Sequence, residues 1–208
     1  MQTMTETVDA AGIRQRQAAV AGLFQDARTP NAFSDQTVSD GEARAIYELT
    51  RLGPTAFNNQ PLRITYLRSA QARNRLARFL TEPNRRKTLE APLTAVLAFD
   101  ANWHEKIPEV FPHAPHLRDR FVANKQARAA SGNNNAFLQA GYFIMAVRSM
   151  GLAAGPMGGF DAAGVDGEFF PDGNQRSILV VNIGHPAANA WREERLPRLS
   201  YATAVATL

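Results

Sequence analysis

The stretch NNNAFLQAGYFIMAVRSM, residues 133–150, is apolar on nearly every side when drawn as a helix. Such a helix must be covered over most of its surface, so it lies either at the centre of a domain or in an interface between subunits. Two almost continuously apolar runs flank it, PLTAVLAF at 92–99 and SILVVNIG at 177–184. Both runs are typical of strands buried on two faces, and we expect them side by side in one sheet.

Shorter patterns supply the surrounding elements. Residues 62–67 alternate between apolar and polar and predict a strand. Ser-Asp-Gly-Glu at 39–42 forms a capping box, which predicts a helix over about 40–52. Helical spacing of apolar residues predicts further helices over 10–26 and 69–80. Strands separated by helices indicate the α/β or the α+β class, with helices packed on a small sheet.

Segment 101–118, ANWHEKIPEVFPHAPHLR, is interrupted by three prolines. Because proline disrupts long helices and central strands, we expect a loop or short helices on the surface. The segment is aromatic for a loop, which indicates contact with a ligand.

Composition limits the classes of protein to consider. The 208 residues are 45% hydrophobic and 20% charged, which predicts a single domain over 1–208, with about 1–9 as a flexible tail. No apolar run is long enough to span a bilayer, and the start of the chain lacks the apolar core of a signal peptide, so we predict a cytoplasmic protein without a membrane partner. The absence of cysteine excludes disulfides, thiolate metal sites and a cysteine nucleophile.

The charge balance is mildly basic. There are 23 Lys and Arg against 19 Asp and Glu, giving a net charge of +4. The densest basic stretch, RNRLARFLTEPNRRK at 73–87, fits a solvated helix face. It carries neither a base-stacking nor a recognition-helix signature, so we predict no nucleic-acid partner, although a basic interaction module stays a minor alternative.

Familiar catalytic motifs are missing from the sequence. There is no Gly-x-Ser-x-Gly elbow, no Walker loop and no Gly-x-Gly-x-x-Gly. Of the four histidines only His113 and His116 are close in sequence, and they lie among prolines without nearby acids. We therefore predict no metal site, and these patterns identify no catalytic side chain.

Four polar or glycine-rich connections remain, each at the edge of a predicted element. They are RTPN at 28–31, GPTAFNNQPL at 53–62, GPMGGF at 155–160 and RLPRLS at 195–200. Two carry arginines, whose charge and forked donors suit a phosphate. The other two offer amides and backbone N–H groups, which suit a neutral heteroaromatic ring. Together they predict a phosphorylated heteroaromatic cofactor, whereas each taken alone also fits a surface charge or a turn.

In this order, the motifs RT-x-N, P-T-A-x-N-x-Q-P, G-P-M-G-G-F and R-x-x-R-L resemble the nitroreductase family of FMN-dependent oxidoreductases, from about residue 24 to the C-terminus. The pieces KIPEVFPH, GPMGGFD, NIG and RLPRLS are similar to its malonic semialdehyde reductase branch. The resemblance implies an α+β fold with a central mixed β-sheet surrounded by helices. It also implies an intertwined homodimer with two FMN sites at the subunit interface.

The resemblance assigns the cofactor contacts by position. One subunit holds the phosphate and ribityl chain through Arg28, Thr29, Asn31, Arg195 and Arg198. The other subunit reaches the flavin through Pro54, Thr55, Ala56, Asn58 and Gln60. The dimethylbenzene or pyrimidine edge is lined by Pro156, Met157, Gly158 and Gly159, with a backbone N–H of one of the two glycines near N5. A donor at N5 tunes the acceptance and return of hydride.

The resemblance also implies a ping-pong reaction in which NADH or NADPH reduces FMN and leaves before the substrate binds. The substrate is then a small aldehyde such as malonic semialdehyde, reduced to 3-hydroxypropionate, or a nitroaromatic or quinone. Trp103, Phe111 and His113 are candidates for substrate contact, with aromatic anchoring of the loop as the alternative. Because the candidate site residues include no acid, a flavin-binding protein without its own turnover is the alternative interpretation.

This chain departs from the family pattern at three positions. It has Ala56 where many members have serine, Asn31 where they have a basic residue and Gly158 where they have an acid. The flavin can still bind without these groups. We expect the reduction potential of the flavin and the substrate pocket to differ from those of family members that have these groups.

Overall fold

The computed structural model describes residues 17–18, 20–191 and 194–208. The predicted tail, about 1–9, and residues 10–16 and 19 of the predicted first helix lie outside the described residues. The remainder of that helix ends in a π-helical turn, Ala21–Gln25.

A four-stranded sheet forms the middle of the fold. Its strands are β1 (Leu62–Leu67), β2 (Leu93–Asp100), β3 (Ala153–Met157) and β4 (Gln175–Gly184), in the order β1-β2-β4-β3. The predicted pairing of the two apolar strands is confirmed, since Val96 of β2 lies opposite Val180 of β4. Every neighbouring pair in the described sheet is antiparallel, so the prediction of a mixed sheet is wrong.

Strand β3 was not predicted, because its sequence, AAGPM, reads as a connection. Glycine and proline are depleted in strands, since proline removes a ladder hydrogen bond and glycine has no side chain to pack. Pro156 is accommodated because β3 lies at an edge of the sheet, where β4 is its only partner among the described strands. The predicted connection at 155–160 is therefore half strand.

Helices surround the sheet. In chain order they are α1 (Asp40–Thr50), α2 (Ala70–Ala77), α3 (Glu82–Glu90), α4 (Ile107–Val110), α5 (Leu117–Ala123), α6 (Lys125–Ser149), α7 (Ala162–Phe169) and α8 (Tyr201–Ala204). The capping box of α1 is confirmed, as Ser39 accepts from the Glu42 amide and the Glu42 carboxylate accepts from the Ser39 amide. The predicted helix over 69–80 ends early because Pro83 lies in the first turn of a separate helix, α3.

The long helix α6 packs across the sheet, so the apolar stretch lies at the centre of the domain, the first of its two predicted positions. Its Phe143 and Val147 are fully buried against strands β2 and β4. The same helix leaves Phe137 and Leu138 nearly half exposed. Although α6 is long and apolar in part, no helix of the described chain could cross a membrane.

Segment 101–118 folds into short helices, as predicted, but part of it is not at the surface. Trp103 and Ile107 are fully buried and, with Phe121 of α5, form a separate apolar cluster beside α6. The close approach depends on Gly132 of α6, where a Cβ atom would lie 2.7 Å from Nε1 of Trp103. This cluster fastens the segment to the rest of the fold.

Candidate cofactor site

The first and fourth connections meet in one cleft of about 520 Å³. The described residues that line it are Phe24, Ala27, Arg28, Thr29, Asn31, Arg148, Trp191, Glu194, Arg195, Leu196 and Arg198. All five residues that the resemblance assigns to the phosphate and ribityl part of the cofactor are among them. Four of the lining side chains are arginines and one is acidic, so the cleft suits an anion.

Hydrogen bonds from Arg195 hold the two connections together. Its Nη2 donates to the carbonyl of Ala27 at 3.0 Å, of Phe24 at 3.4 Å and of Gln25. These carbonyls follow or end the turn Ala21–Gln25, where a cation compensates the negative end of the backbone dipoles. The amide of Asn31 also donates to the carbonyl of Ala190 at 2.8 Å. The arginine cleft is therefore built by contacts across nearly the whole length of the chain.

Arg148 is a residue of the cleft that the sequence motifs do not contain. It lies in the last turn of α6, far in sequence from both connections. The sequence could have marked Arg148 as a candidate, because it is a single charged side chain inside the apolar run IMAVRSM. Burial of an unpaired charge is unfavourable, so a charge in such a run favours an anionic partner.

The third connection lies beside the first. A Cβ on Gly155 would meet Cδ of the buried Pro30 at 3.8 Å. The carbonyl of Gly159 accepts hydrogen bonds from the amide of Thr81 and from Nδ2 of Asn84. A Cβ on Gly158 would meet nothing within 4 Å, so the backbone there is open to a neighbour.

A row of buried, hydrogen-bonded polar side chains extends from the sheet to the third connection. Oγ1 of Thr94 donates to Oδ1 of Asn182 at 2.8 Å, and Nδ2 of Asn182 donates to Oγ1 of Thr88 at 3.1 Å. Oγ1 of Thr88 lies 3.9 Å from Sδ of Met157. All three polar side chains are at most 1% exposed. These contacts thus link the middle of the sheet, through α3, to Met157, the residue before Gly158.

The second connection, 53–62, packs on α6 instead of at the arginine cleft. Oδ1 of Asn135 accepts from the amide of Ala56 at 2.8 Å, and the hydroxyl of Tyr142 donates to the carbonyl of Pro54 at 3.0 Å. Oγ1 of Thr55 accepts from the amide of Gln60 at 3.3 Å. None of its residues lines the arginine cleft as the described chain forms it.

The backbone of this connection is strained. Phe57, Asn58 and Gln60 have φ values of 54°, 50° and 39°, a region that non-glycine residues rarely adopt. Nδ2 of Asn58 donates to the carbonyl of Val110 at 2.8 Å, and its Oδ1 accepts from Nε2 of Gln60 at 2.9 Å. Strain of this kind clusters at functional sites, where surrounding contacts enforce it.

The three candidate substrate residues separate in the structure. The ring centroids of Phe111 and His113 lie 3.8 Å apart with the planes tilted by 52°, and Phe57 meets Phe111 edge-on at 5.9 Å. Trp103 is fully buried and donates from Nε1 to the carbonyl of Arg128 at 3.1 Å. Its position fits the alternative interpretation, an aromatic anchor. Phe111 is partly buried against the cluster that contains Trp103, whereas His113 and Phe57 are exposed.

A buried histidine adjoins this anchor. Nη1 of Arg128 lies 2.9 Å from Nε2 of His104, whose side chain is 2% exposed. Burial lowers the pKa of His104, and the charges of Arg128 and Arg118 lower it further, against the opposing effect of Glu105 and Asp100. The folded protein therefore holds the imidazole neutral.

We expect this histidine to make stability depend on pH. The pKa of His104 is lower in the folded state than in the unfolded state. Its contribution to the free energy of unfolding is therefore complete above the unfolded pKa of about 6.5, and it is lost as the pH falls from there towards the folded pKa. In urea unfolding, His104→Gln should lose less free energy of unfolding than the wild type between about pH 7 and pH 5. The exposed His116→Gln is the control, and an unchanged pH dependence in His104→Gln would contradict the expectation.

Comparisons with known proteins extend over most of the chain. The model of the Nitroreductase family matches residues 25–185. A Streptomyces griseus protein named "Putative NADH dehydrogenase/NAD(P)H nitroreductase" is 48% identical over 186 residues, which cover 89% of this chain and 94% of that protein. A Leptothrix cholodnii protein of the same name is 42% identical over 205 residues, which cover 99% of this chain and 100% of that protein.

Solved structures share the fold at low sequence identity. A nitroreductase family protein of Streptococcus pneumoniae gives a TM-score of 0.76 at 20% identity, covering 89% of this chain and 98% of that chain. A protein of Exiguobacterium sibiricum crystallised in complex with FMN gives 0.72 at 18% identity, covering 87% and 92%. These likenesses confirm the predicted nitroreductase-like α+β fold.

Proposed function

Because the chain belongs to the nitroreductase family, we propose that it is an FMN-dependent oxidoreductase that takes hydride from NADH or NADPH and reduces a small organic substrate. The observation that carries the proposal is the cleft in which RTPN and RLPRLS meet around four arginines. A phosphate monoester carries about −1.5 to −2 charges and accepts several hydrogen bonds, so it suits this donor set. The relatives' names and the FMN complex of one structural neighbour support the same cofactor.

The residues of this chain divide the cofactor between two regions. Arg28, Thr29, Asn31, Arg195 and Arg198 would hold the phosphate end. Pro156, Met157, Gly158 and Gly159 would lie along the ring, where the open backbone at Gly158 allows close approach. When bound, FMN would supply hydride transfer at N5, which explains why no catalytic side chain is required of the protein.

We propose a homodimer in which the second connection serves the partner's site. Its cofactor candidates do not line the arginine cleft of their own chain; they are Pro54, Thr55, Ala56, Asn58 and Gln60. Two of them, Pro54 and Ala56, are hydrogen-bonded to α6. The C-terminal segment 194–208 leaves Leu196, Leu199 and Tyr201 about three-quarters exposed. Exposed apolar side chains in such number favour burial against a second copy. The single domain over 1–208 and the cytoplasmic location stay predictions.

The proposed substrates come from the family resemblance of the sequence motifs. The malonic semialdehyde reductase branch suggests a small aldehyde, and nitroaromatics or quinones are the other candidates. Phe111 and His113, joined by Phe57, offer an aromatic surface for substrate contact. We leave Trp103 out of this surface because it is fully buried.

Two other functions give different outcomes in the same experiment. A flavin-binding protein without turnover would take up FMN and not pass electrons on. A basic interaction module would use the charges at 73–87, two of which are partly neutralised because Arg75 pairs with Glu168 and Arg85 with Glu82; such a protein would not take up FMN.

We expect the purified protein to bind FMN, to lose its yellow colour with NADH or NADPH under anaerobic conditions, and to regain it with substrate. Malonic semialdehyde, a nitroaromatic and a quinone are tested separately as oxidants of the reduced protein. Bleaching without reoxidation by any of them would favour a flavin-binding protein without turnover. A protein that neither carries nor takes up FMN would refute the proposed function.

A further inference from the structure

We infer that Arg148 is an additional anion-binding residue of the arginine cleft and contacts the phosphate group of the cofactor directly. This inference rests on the proposed function, because it concerns the same cleft. It adds a residue from α6, the central helix, which none of the four connections contains.

The position of Arg148 supports direct contact. Like Ala27, Arg28 and Trp191, it lines the arginine cleft and also an adjoining cavity of about 210 Å³. Its Nη1 donates to the carbonyl of Leu23 at 3.0 Å, which fixes the guanidinium in place. Its Nε is buried and has no hydrogen-bond partner among the described residues. A buried donor without a partner is unfavourable, which favours a ligand that accepts hydrogen bonds from this guanidinium.

The neighbouring arginines are engaged differently. Nη2 of Arg195 donates to three backbone carbonyls, and Nη1 of Arg198 donates to the carbonyls of Leu196 at 2.8 Å and Pro197 at 3.2 Å. Both residues therefore already use donors within the protein, Arg195 on carbonyls at 24–27 and Arg198 on its own segment. Arg148 adds a guanidinium whose orientation is already set by the rigid helix, so little side-chain entropy is lost on binding an anion.

The charge of the cleft also favours an anion beside Arg148. Four arginines line it against one described acid, Glu194. Burial lowers the pKa of Arg148, and the charge of Arg195 lowers it further. Like charges held this close repel each other, and a bound phosphate dianion would reverse that repulsion.

A purely structural role is the competing explanation. Through its bond to Leu23, Arg148 could serve only to hold the turn Ala21–Gln25 against α6. Loss of such a role would disturb the cleft as a whole and would weaken every flavin alike. An anion-binding role concerns the phosphate alone, and riboflavin differs from FMN in lacking that phosphate.

The test compares Arg148→Gln with the wild type for FMN and riboflavin, with both dissociation constants measured by quenching of flavin fluorescence. We expect FMN to bind about ten- to a hundredfold more weakly, as for loss of a hydrogen bond to a charged group, and riboflavin to bind equally well. Inorganic phosphate should compete with FMN less effectively in the variant, and Arg148→Lys should restore part of the affinity. Arg44→Gln, at an exposed position on α1, is the matched control.

Three outcomes decide the matter. Unchanged FMN affinity in Arg148→Gln would overturn the inference and leave the proposed function standing. Equal weakening of FMN and riboflavin, with unchanged competition by phosphate, would assign Arg148 a structural role only. Failure of the wild type to bind FMN would refute the proposed function itself.

Discussion

Replacing Trp103 by alanine is expected to lower the free energy of unfolding by about 3–5 kcal/mol, the usual cost of truncating a buried aromatic side chain. Its indole is fully buried, meets the ring of Phe121 edge-on at 4.7 Å and donates to the carbonyl of Arg128. The substitution would empty a space that Gly132 leaves open for the indole, and the Arg128 carbonyl would lose its partner. Urea unfolding followed by circular dichroism measures the effect.

Two further variants separate the causes of that loss. Trp103→Phe keeps much of the apolar volume and removes the N–H donor, so we expect about 1–2 kcal/mol. Trp191→Ala removes the same residue type at a position that is 39% exposed and should cost less than Trp103→Ala. A loss below about 1 kcal/mol for Trp103→Ala would mean that the cluster does not anchor segment 101–118.

The second large effect is expected at Asn182. Asn182→Leu removes the amide that accepts from Thr94 and donates to Thr88, and both hydroxyls would be left buried without that partner. Each unsatisfied buried group costs about 1–3 kcal/mol, so we expect a loss of about 2–4 kcal/mol in the free energy of unfolding. Because Thr88 also approaches Met157, FMN retention should fall as well.

The triple variant Thr88→Val, Thr94→Val, Asn182→Leu tests the reason for this loss. Replacing all partners by apolar groups of similar shape leaves no unsatisfied donor or acceptor, so the triple variant should be more stable than Asn182→Leu alone. If it is instead less stable, the loss arises from packing and not from unpaired polar groups.

The parts of the fold that the sequence predicted correctly are those with a strong local cause. Strand β1 has its predicted bounds, and α1 begins at the capping box. Strands β2 and β4 follow from continuous apolar runs that only a buried sheet can accommodate. Strand β3 was missed because Gly155 and Pro156 are strand residues only at a sheet edge, and edge position is decided by tertiary pairing.

In the candidate site, too, residues within sequence motifs could be identified in advance, whereas residues placed by tertiary contacts could not. Arg28 and Arg198 were predicted to act together from the order of motifs, and the structure places both in one cleft. Arg148 had no motif around it, since its role depends on where α6 ends relative to the turn Ala21–Gln25. The internal hydrogen bonds of Asn58 were equally invisible, because they depend on the approach of Val110 from another segment.

The strand order also constrains how the chain can fold. Strands β2 and β4 are neighbours at the centre of the sheet, with Leu93 opposite Ile183, although α6 and β3 separate them in sequence. Such non-local contacts require closure of a long loop before they contribute any stability, which slows folding. During synthesis on the ribosome, β1 and β2 can pair early, but the sheet cannot be completed until residue 184 has emerged. Until then the edge of β2 that pairs with β4 in the folded sheet has no partner strand.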